Sequence, residues 1–423
     1  MDFIWKFEKE GEIVDELLKY KTTKLREIAK EHGIENYKSM IREDLINNIC
    51  VQLAKEEGKL YTVGTLDIMN DGYGFLRNTD LNADVYVSIS QIKKIALRQG
   101  DVICGEIRVP IGTEKNYGLI KIQFINSDTI DKALNRPVFD ELIPAYPNEK
   151  IKLGEGEISS RLIDLIAPIG KGQRGLIVAP PKGGKTVLLT TLANDIIKYN
   201  KDIDVWILLI DERPEEVTDI KENVKEAEVY SATFDEDPNI HIKVTEKVLE
   251  AAKLEVEKGK NIVILMDSLT RLARSYNIVI PSSGKIISGG IDPKALYMPK
   301  KFLGAARNIR KGGSLTIIAT ALIDTGSRMD EVIFEEFKGT ANMEIILDRT
   351  LQQLRLFPAI DIIKSGTRRE DLLYTKKELD LIWALRRKLM KCNEAEALKY
   401  LLDLLKQYST NAELIDNIKY ELI

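Results

Sequence analysis

The chain has 423 residues, 44% hydrophobic and 30% charged, with a net charge of −4. That balance predicts a soluble globular protein of two or three domains and speaks against a uniformly basic nucleic-acid binder, although charge can be concentrated locally. Three widely spaced cysteines (Cys50, Cys104, Cys392) and two histidines (His32, His241) exclude a disulfide framework and leave no spacing for a structural zinc site.

No basic segment followed by an apolar one opens the chain, and apolar runs such as LTIIATALI are too short to cross a bilayer. The expected location is cytoplasmic, with no membrane attachment. Residues 1–58 read as a small helical domain. Leu25, Ile28 and Ala29 form one stripe, and Ile41, Leu45, Ile46, Ile49 and Leu53 another, with Gly33 as a stop between them. Its role stays open between packing and nucleic-acid contact. Residues 59–127 change to short alternating runs split by turn signals, which predicts about five strands in an OB-fold, cold-shock-like β-barrel. Residues 128–155, with Pro137, Pro144 and Pro147, read as a linker.

Residues 156–423 alternate apolar strands (RGLIVA, DVWILLID, NIVILMD, SLTIIATAL, MEIILD) with helical stretches, and the last 45 residues read as a helical cap. Near-continuous apolar strands imply burial on both faces, hence an α/β domain with a parallel sheet covered by helices.

The stretch VAPPKGGKTVLL, residues 178–189, falls between such a strand and a helix. It departs from the phosphate-loop pattern only in having Ala179 in place of the first glycine. Lys182, Gly183, Gly184, Lys185 and Thr186 keep its mechanics. Backbone N–H groups face phosphates at a helix start, Lys185 reaches the β and γ groups, and the Thr186 hydroxyl is offered to Mg2+. Asp267 ends NIVILMD, where it can hold the magnesium shell. Asp211 and Glu212 end another apolar strand; Glu212 is assigned to orient or deprotonate the attacking water, and Asp211 to orient its neighbours. Arg213 follows as a nucleotide contact.

In DGYGFLRN, Tyr73 and Phe75 share one strand face with Arg77, while Gly72 and Gly74 leave the other bare. Tyr86 and Tyr117 lie in neighbouring strand candidates. This reads either as a stacking platform for bases or as an aromatic core stripe. From Leu60 to Ser127 there are seven basic and seven acidic residues, so stacking rather than phosphate attraction must carry any binding there. From Ser282 to Gly313 there are seven basic residues and one acid, Asp292. The glycine- and serine-rich run from Pro281 to Lys301 reads as a mobile basic loop, with a plain surface turn as the alternative.

Five segments, PPKGGKT, LLIDERPEEV, DSLTRLARSYN, GSLTIIATALIDTGSRMDEVIFEEFKGT and FPAIDIIKSGTRRE, resemble the Rho family of bacterial transcription termination factors. The likeness runs over nearly all of residues 60–375. It implies a homohexameric ring with a RecA-type motor related to rotary ATPases, RNA-dependent ATP hydrolysis, 5′-to-3′ movement on single-stranded RNA, and release of transcripts from RNA polymerase. It further implies nucleotide contacts by Gly170, Lys171, Gly172, Gln173, Arg174 and Gly175, by Lys182 to Val187 and by Arg213. Glu212 becomes the catalytic carboxylate, Arg368 an arginine finger inserted by a neighbouring subunit, and Arg355 a second interfacial arginine. From the residues alone, Arg368 and Arg369 read as a solvated basic pair. The primary RNA site would comprise Gly72, Tyr73, Gly74, Phe75, Leu76 and Arg77, then Asp84, Val85 and Tyr86, then Lys115, Asn116 and Tyr117. A second, in the pore, would use Lys285, Ser288 and Arg328. Lys115 and Asn116 stand where the family often has an acid and an arginine, and Arg328 where it usually has a lysine.

Two other readings compete with an RNA-driven translocase. An ion-motive or secretion ATPase would share the motor but lack the aromatic platform and the glycine-rich basic loop. A passive RNA chaperone would not need Lys185, Glu212 and Asp267 together.

Overall fold

A computed structural model describes residues 17, 19–37, 40, 42–56, 58–69, 71–77, 79, 81, 83–126, 128–154 and 156–418. The opening segment and Ile41 lie outside the described residues. The chain forms two compact units, divided after Pro137.

In the first unit, helices Thr22–Glu31 and Arg42–Glu56 bury their apolar stripes, Leu25, Ile28 and Ala29 on one and Leu45, Ile46, Ile49 and Leu53 on the other. The same cluster takes in Tyr61, Cys104 and Phe124. The helices therefore use the outer side of the barrel as part of their core. The barrel strands are β1 (Tyr61–Ile68), β2 (Gly74–Arg77), β3 (Val85–Val87), β4 (Val102–Arg108) and β5 (Tyr117–Ile125). They close in the order β1-β2-β3-β5-β4, with β1 returning to β4, so no edge is left unpaired. Leu66, Leu76, Val85, Val87, Ile103, Ile107 and Ile122 fill the interior.

The stretch read as a linker is shared out between the units. Thr129 caps the helix Ile130–Leu134, and Arg136 grips the buried Asp101 through both carboxylate oxygens at 2.6 Å. Beyond the division, Phe139, Ile151 and Leu153 are buried in the second unit, and β6 (Pro144–Ala145) joins its sheet. Pro144 lies in β6 itself, and Pro137 and Pro147 in the irregular chain on either side.

The second unit is built on β7 (Arg174–Ala179), β8 (Ile203–Glu212), β9 (Glu228–Thr233), β10 (Asn261–Asp267), β11 (Arg307–Ile309), β12 (Ser314–Leu322), β13 (Met343–Ile346) and β14 (Gly366–Thr367). Their order is β14-β13-β7-β12-β10-β8-β9, parallel from β13 to β9, with β14 antiparallel at one edge and β11 and β6 added beside β12. Alternation explains the apolar runs. Ile177, Ala179, Ile207 and Leu209 face one layer, with helices Ile158–Ile166 and Lys185–Tyr199 and the C-terminal helices. Leu176, Val178, Leu208 and Ile210 face the other, with helices Pro238–Glu257, Leu269–Val279 and Arg328–Lys338.

One expectation is corrected. The run from Pro281 to Lys301 is not all loop: Asp292 caps a 3-10 turn over Pro293–Leu296, and a helix follows over Tyr297–Gly304. The capping aspartate and Pro293 start the 3-10 turn that leads into this helix, and the glycines of the run all precede both.

Candidate functional site

β7 ends at Ala179, and the chain turns through Pro180–Gly184 into the helix Lys185–Tyr199. Gly184 sits at φ +85°, a conformation that only glycine adopts without strain. A Cβ on Gly183 would come within 2.9 Å of the Pro180 carbonyl oxygen. Ala179, by contrast, is the last residue of the strand, so the loop does not need the missing glycine there.

Lys185 donates to Glu212 Oε1 at 2.8 Å and to Asp267 Oδ2 at 2.5 Å. Burial works against its charge, but the two carboxylates prevail and hold its pKa above the usual lysine value. Asp267 is fixed from its other side by the Thr320 hydroxyl at 2.7 Å. Glu212 is 2% exposed. Burial first, then the charge of Asp267, push its carboxyl above the ordinary glutamate range, against Lys185 and Arg271. Asp211 is the extra residue of a β-bulge against β9 and adopts φ +59°. The bulge re-aims the strand end, and Glu212 turns onto Lys185.

Sequence reasoning missed Arg271. Ser268 caps the helix Leu269–Val279, whose first turn carries the Arg271 guanidinium to the Asp211 carbonyl, to Asp211 Oδ2 at 3.1 Å and to within 3.6 Å of Glu212 Oε1. Arg213, Pro214, Glu215, Phe234 and Arg271 line an open pocket there. Across the phosphate loop, Gln352 donates to the Lys182 carbonyl, which brings up the exposed turn that carries Arg355 and a half-exposed Phe357. Thr186 is half-buried and Val187 is exposed.

The segment Gly170–Gly175 is not brought to this loop within one subunit. It lies at the opposite end of β7, about 17 Å away at a rise of about 3.3 Å per residue. Its groups are engaged locally. Lys171 pairs with Glu149 and Asp202, Gly172 N–H donates to Thr316, Gln173 to Asn342, and Arg174 to the Thr340 and Ala306 carbonyls. The GQR residues tie strand starts together, which the motif alone could not reveal. Arg368 occupies the same end. It follows β14, and its backbone N–H donates to the Asn342 carbonyl at 2.8 Å while its side chain is exposed.

On the same unit, Lys285, Ser288 and Arg328 are all exposed. Gly289 packs so closely on the Arg328–Met329 backbone that a Cβ would lie 2.8 Å from the Arg328 carbonyl oxygen. Two loops far apart in sequence are thus one surface. The first is tied down rather than free, since Asp292 accepts from the Ser283 N–H and hydroxyl, and Ile287 pairs with Ile291.

On the barrel, Tyr73, Phe75 and Tyr86 form a cluster, with ring centroids 5.7, 5.8 and 6.1 Å apart. Phe75 faces Tyr86 across β2 and β3, and Tyr86 is 41% exposed. Arg77 lies over the Phe75 ring at 4.9 Å and is clamped by Asp67 and Asp84. Tyr117 is half-buried, beside Val85 on the neighbouring strand, and Lys115 and Asn116 lead into it. Leu76 and Val85 face the barrel interior, as would a Cβ on Gly74, so these three positions offer only backbone. Gly72 is in the left-handed turn before β2 rather than on a strand face.

Comparisons with known proteins agree with both units. Residues 159–367 match the nucleotide-binding domain of the ATP synthase alpha/beta family, residues 62–131 the RNA-binding domain of Rho termination factor, and residues 16–58 its N-terminal domain. The fold resembles a prototypical ATPase from the type III secretion system of pathogenic bacteria, with a TM-score of 0.56 and 24% identity, covering 73% of this chain and 92% of that one. Transcription termination factor Rho of Streptobacillus moniliformis is 68% identical over 409 residues, 97% of this chain and 98% of that protein. The protein of the same name from Pseudomonas aeruginosa is 49% identical over 414 residues, 96% and 99% of the two chains. With an OB-type barrel that bears an RNA-binding domain, a RecA-like ATPase sheet, and relatives this close over almost its whole length, the chain belongs to the Rho family of transcription termination factors.

Proposed function

We propose that this protein is a transcription termination factor that uses ATP hydrolysis to move 5′-to-3′ along nascent single-stranded RNA and releases the transcript from RNA polymerase. What carries this reading is the union in one chain of an exposed aromatic platform on a barrel and the Lys185–Glu212–Asp267 constellation on a sheet edge.

In the nucleotide site, the backbone N–H groups at the start of the helix Lys185–Tyr199 cradle phosphates. Lys185 exchanges its carboxylate partners for phosphate oxygens, which frees Glu212 to accept the proton of an attacking water. The hydroxyl of Thr186 and the carboxylate of Asp267 are hard oxygen donors suited to Mg2+, which would supply charge to the phosphates. Arg213, Arg355 and the half-exposed Phe357 flank the space for the nucleoside, where an aromatic face suits a base. Arg368, at the far end of the strands, is out of reach of its own phosphate loop. That supports action on a neighbouring subunit's triphosphate, as a homohexameric ring allows. Lys285, Ser288 and Arg328 grip RNA in the pore of that ring, and Tyr73, Phe75, Tyr86 and Tyr117 stack its bases at the primary site. Activity on transcripts implies a cytoplasmic protein; no helix among the described residues is long and apolar enough to cross a membrane.

The test is displacement of a DNA strand annealed to RNA downstream of a long single-stranded segment. ATP-dependent displacement with the overhang at the 5′ end, and none with it at the 3′ end, is the expected result. Displacement of either polarity without ATP contradicts a motor.

A further inference from the structure

The turn that carries Arg368 is immobilised on every side but one. Before it, the Thr367 hydroxyl donates to the Pro168 carbonyl at 2.8 Å, and Arg386 donates to the Ser365 carbonyl at 3.2 Å. The Arg368 backbone N–H is held by Asn342. After it, Arg369 takes the left-handed conformation at φ +58° and turns its side chain away, to Asp371 at 3.0 Å and over the Tyr146 ring at 5.2 Å. The chain then enters a 3-10 turn that begins at Glu370.

Glu370 is the junction of this arrangement. Its Oε1 accepts from the Trp383 indole N–H at 3.0 Å, and its Oε2 is 3.7 Å from the Arg386 guanidinium. Trp383 and Arg386 belong to the helix Lys376–Leu389, and Arg386 also donates to the Ile166 carbonyl. One helix thus holds both flanks of the turn, at Ser365 and at Glu370. Among the described residues no hydrogen bond or ion pair engages the Arg368 guanidinium, which borders an open pocket with Glu344, Glu370 and Arg386.

A backbone fixed on both sides with a cation free of hydrogen bonds between them is the geometry of preorganisation, in which ordering is complete before the partner arrives. We propose that Glu370, held by Trp383 and Arg386, is a positioning residue for Arg368, fixing the turn on which the guanidinium is presented to the triphosphate of a neighbouring subunit. This rests on the trans role given to Arg368 above. The Glu370 carboxylate is mostly buried and turned onto Trp383 and Arg386, so its effect on turnover is expected to pass through the turn that carries Arg368.

A double-mutant cycle on the assembled full-length protein tests it. RNA-stimulated turnover is measured for Glu370→Gln, for Trp383→Phe, which removes the N–H donor together with part of the ring at a half-exposed site, and for each in the Arg368→Ala background. Glu370→Gln is expected to lower kcat by about tenfold to a hundredfold, as a small misplacement of a catalytic group does, with KM for ATP, RNA affinity and native mass unchanged. Trp383→Phe follows in the same direction. In the Arg368→Ala background neither substitution lowers turnover further. Unchanged kcat in both variants, or the same loss in both backgrounds, overturns the proposal. If Arg368→Ala alone leaves turnover intact, the trans role itself falls, and the positioning role with it. Should Glu370→Gln fail to assemble, Trp383→Phe carries the cycle.

Discussion

Lys185 sits between two buried carboxylates, and this local arrangement makes residue-scale predictions. Lys185→Ala removes the cation proposed to reach the phosphates and leaves Glu212 and Asp267 without the ammonium between them. RNA-stimulated hydrolysis is expected to vanish while RNA binding persists, as phosphate release and filter binding would report; normal turnover would remove Lys185 from the site. Glu212 gives a pH signature. Burial and the charge of Asp267 raise its pKa above the ordinary 4.5, so in the folded protein it stays protonated to a higher pH than in the unfolded chain. The native state then binds more protons in that window, and its stability rises slightly as pH falls through it. A base must be ionised, so turnover is lost over the same window. The acid limb of the rate profile is expected above the normal glutamate range, and a limb at or below 4.5 would contradict the assignment. Lys185, Glu212 and Asp267 could be read from the sequence because each stands at the end of an apolar run. Arg271 could not: it sits in an ordinary amphipathic helix, and only the cap at Ser268 and the bulge at Asp211 bring it to Glu212.

At the scale of elements, the platform on β2 and β3 depends on what lies behind it. A Cβ on Gly74 would come 2.8 Å from Leu66 Cδ1 and 3.0 Å from the Asp67 carbonyl oxygen. Gly74→Ala should therefore destabilise the barrel by about 1–3 kcal/mol, the usual cost of overpacking, read as a lower denaturant midpoint of the first unit. Tyr86→Ala, at an exposed position, should spare stability and weaken RNA binding by about 1–3 kcal/mol, the worth of one stacked base. Equal affinity would make the cluster a packing feature. Long buried strands were legible because both their faces are apolar. The short edge pieces β6, β11 and β14 carry too few residues to show a period, and β9, half-exposed at the sheet edge, reads as polar. The distance of Gly170–Gly175 from its own phosphate loop was hidden for a related reason. Motif spacing says what precedes a strand, not which end of the sheet it occupies.

For the whole molecule, the ATPase sheet alone does not separate a secretion motor from an RNA motor, since the fold is shared with a secretion ATPase. The discrimination comes from the first unit, where residues 62–131 match the RNA-binding domain of Rho termination factor. The proposed ring with fingers in trans also has a collective signature. Mixing Arg368→Ala subunits with native ones should depress turnover more steeply than their fraction, whereas a strictly linear loss would argue for independent subunits. The most direct measurement is the rate of ATP hydrolysis by the intact protein with and without single-stranded RNA. Hydrolysis that is slow alone and rises strongly on adding the strand is the predicted result; the same rate in both conditions would contradict the coupling of this ATPase to RNA.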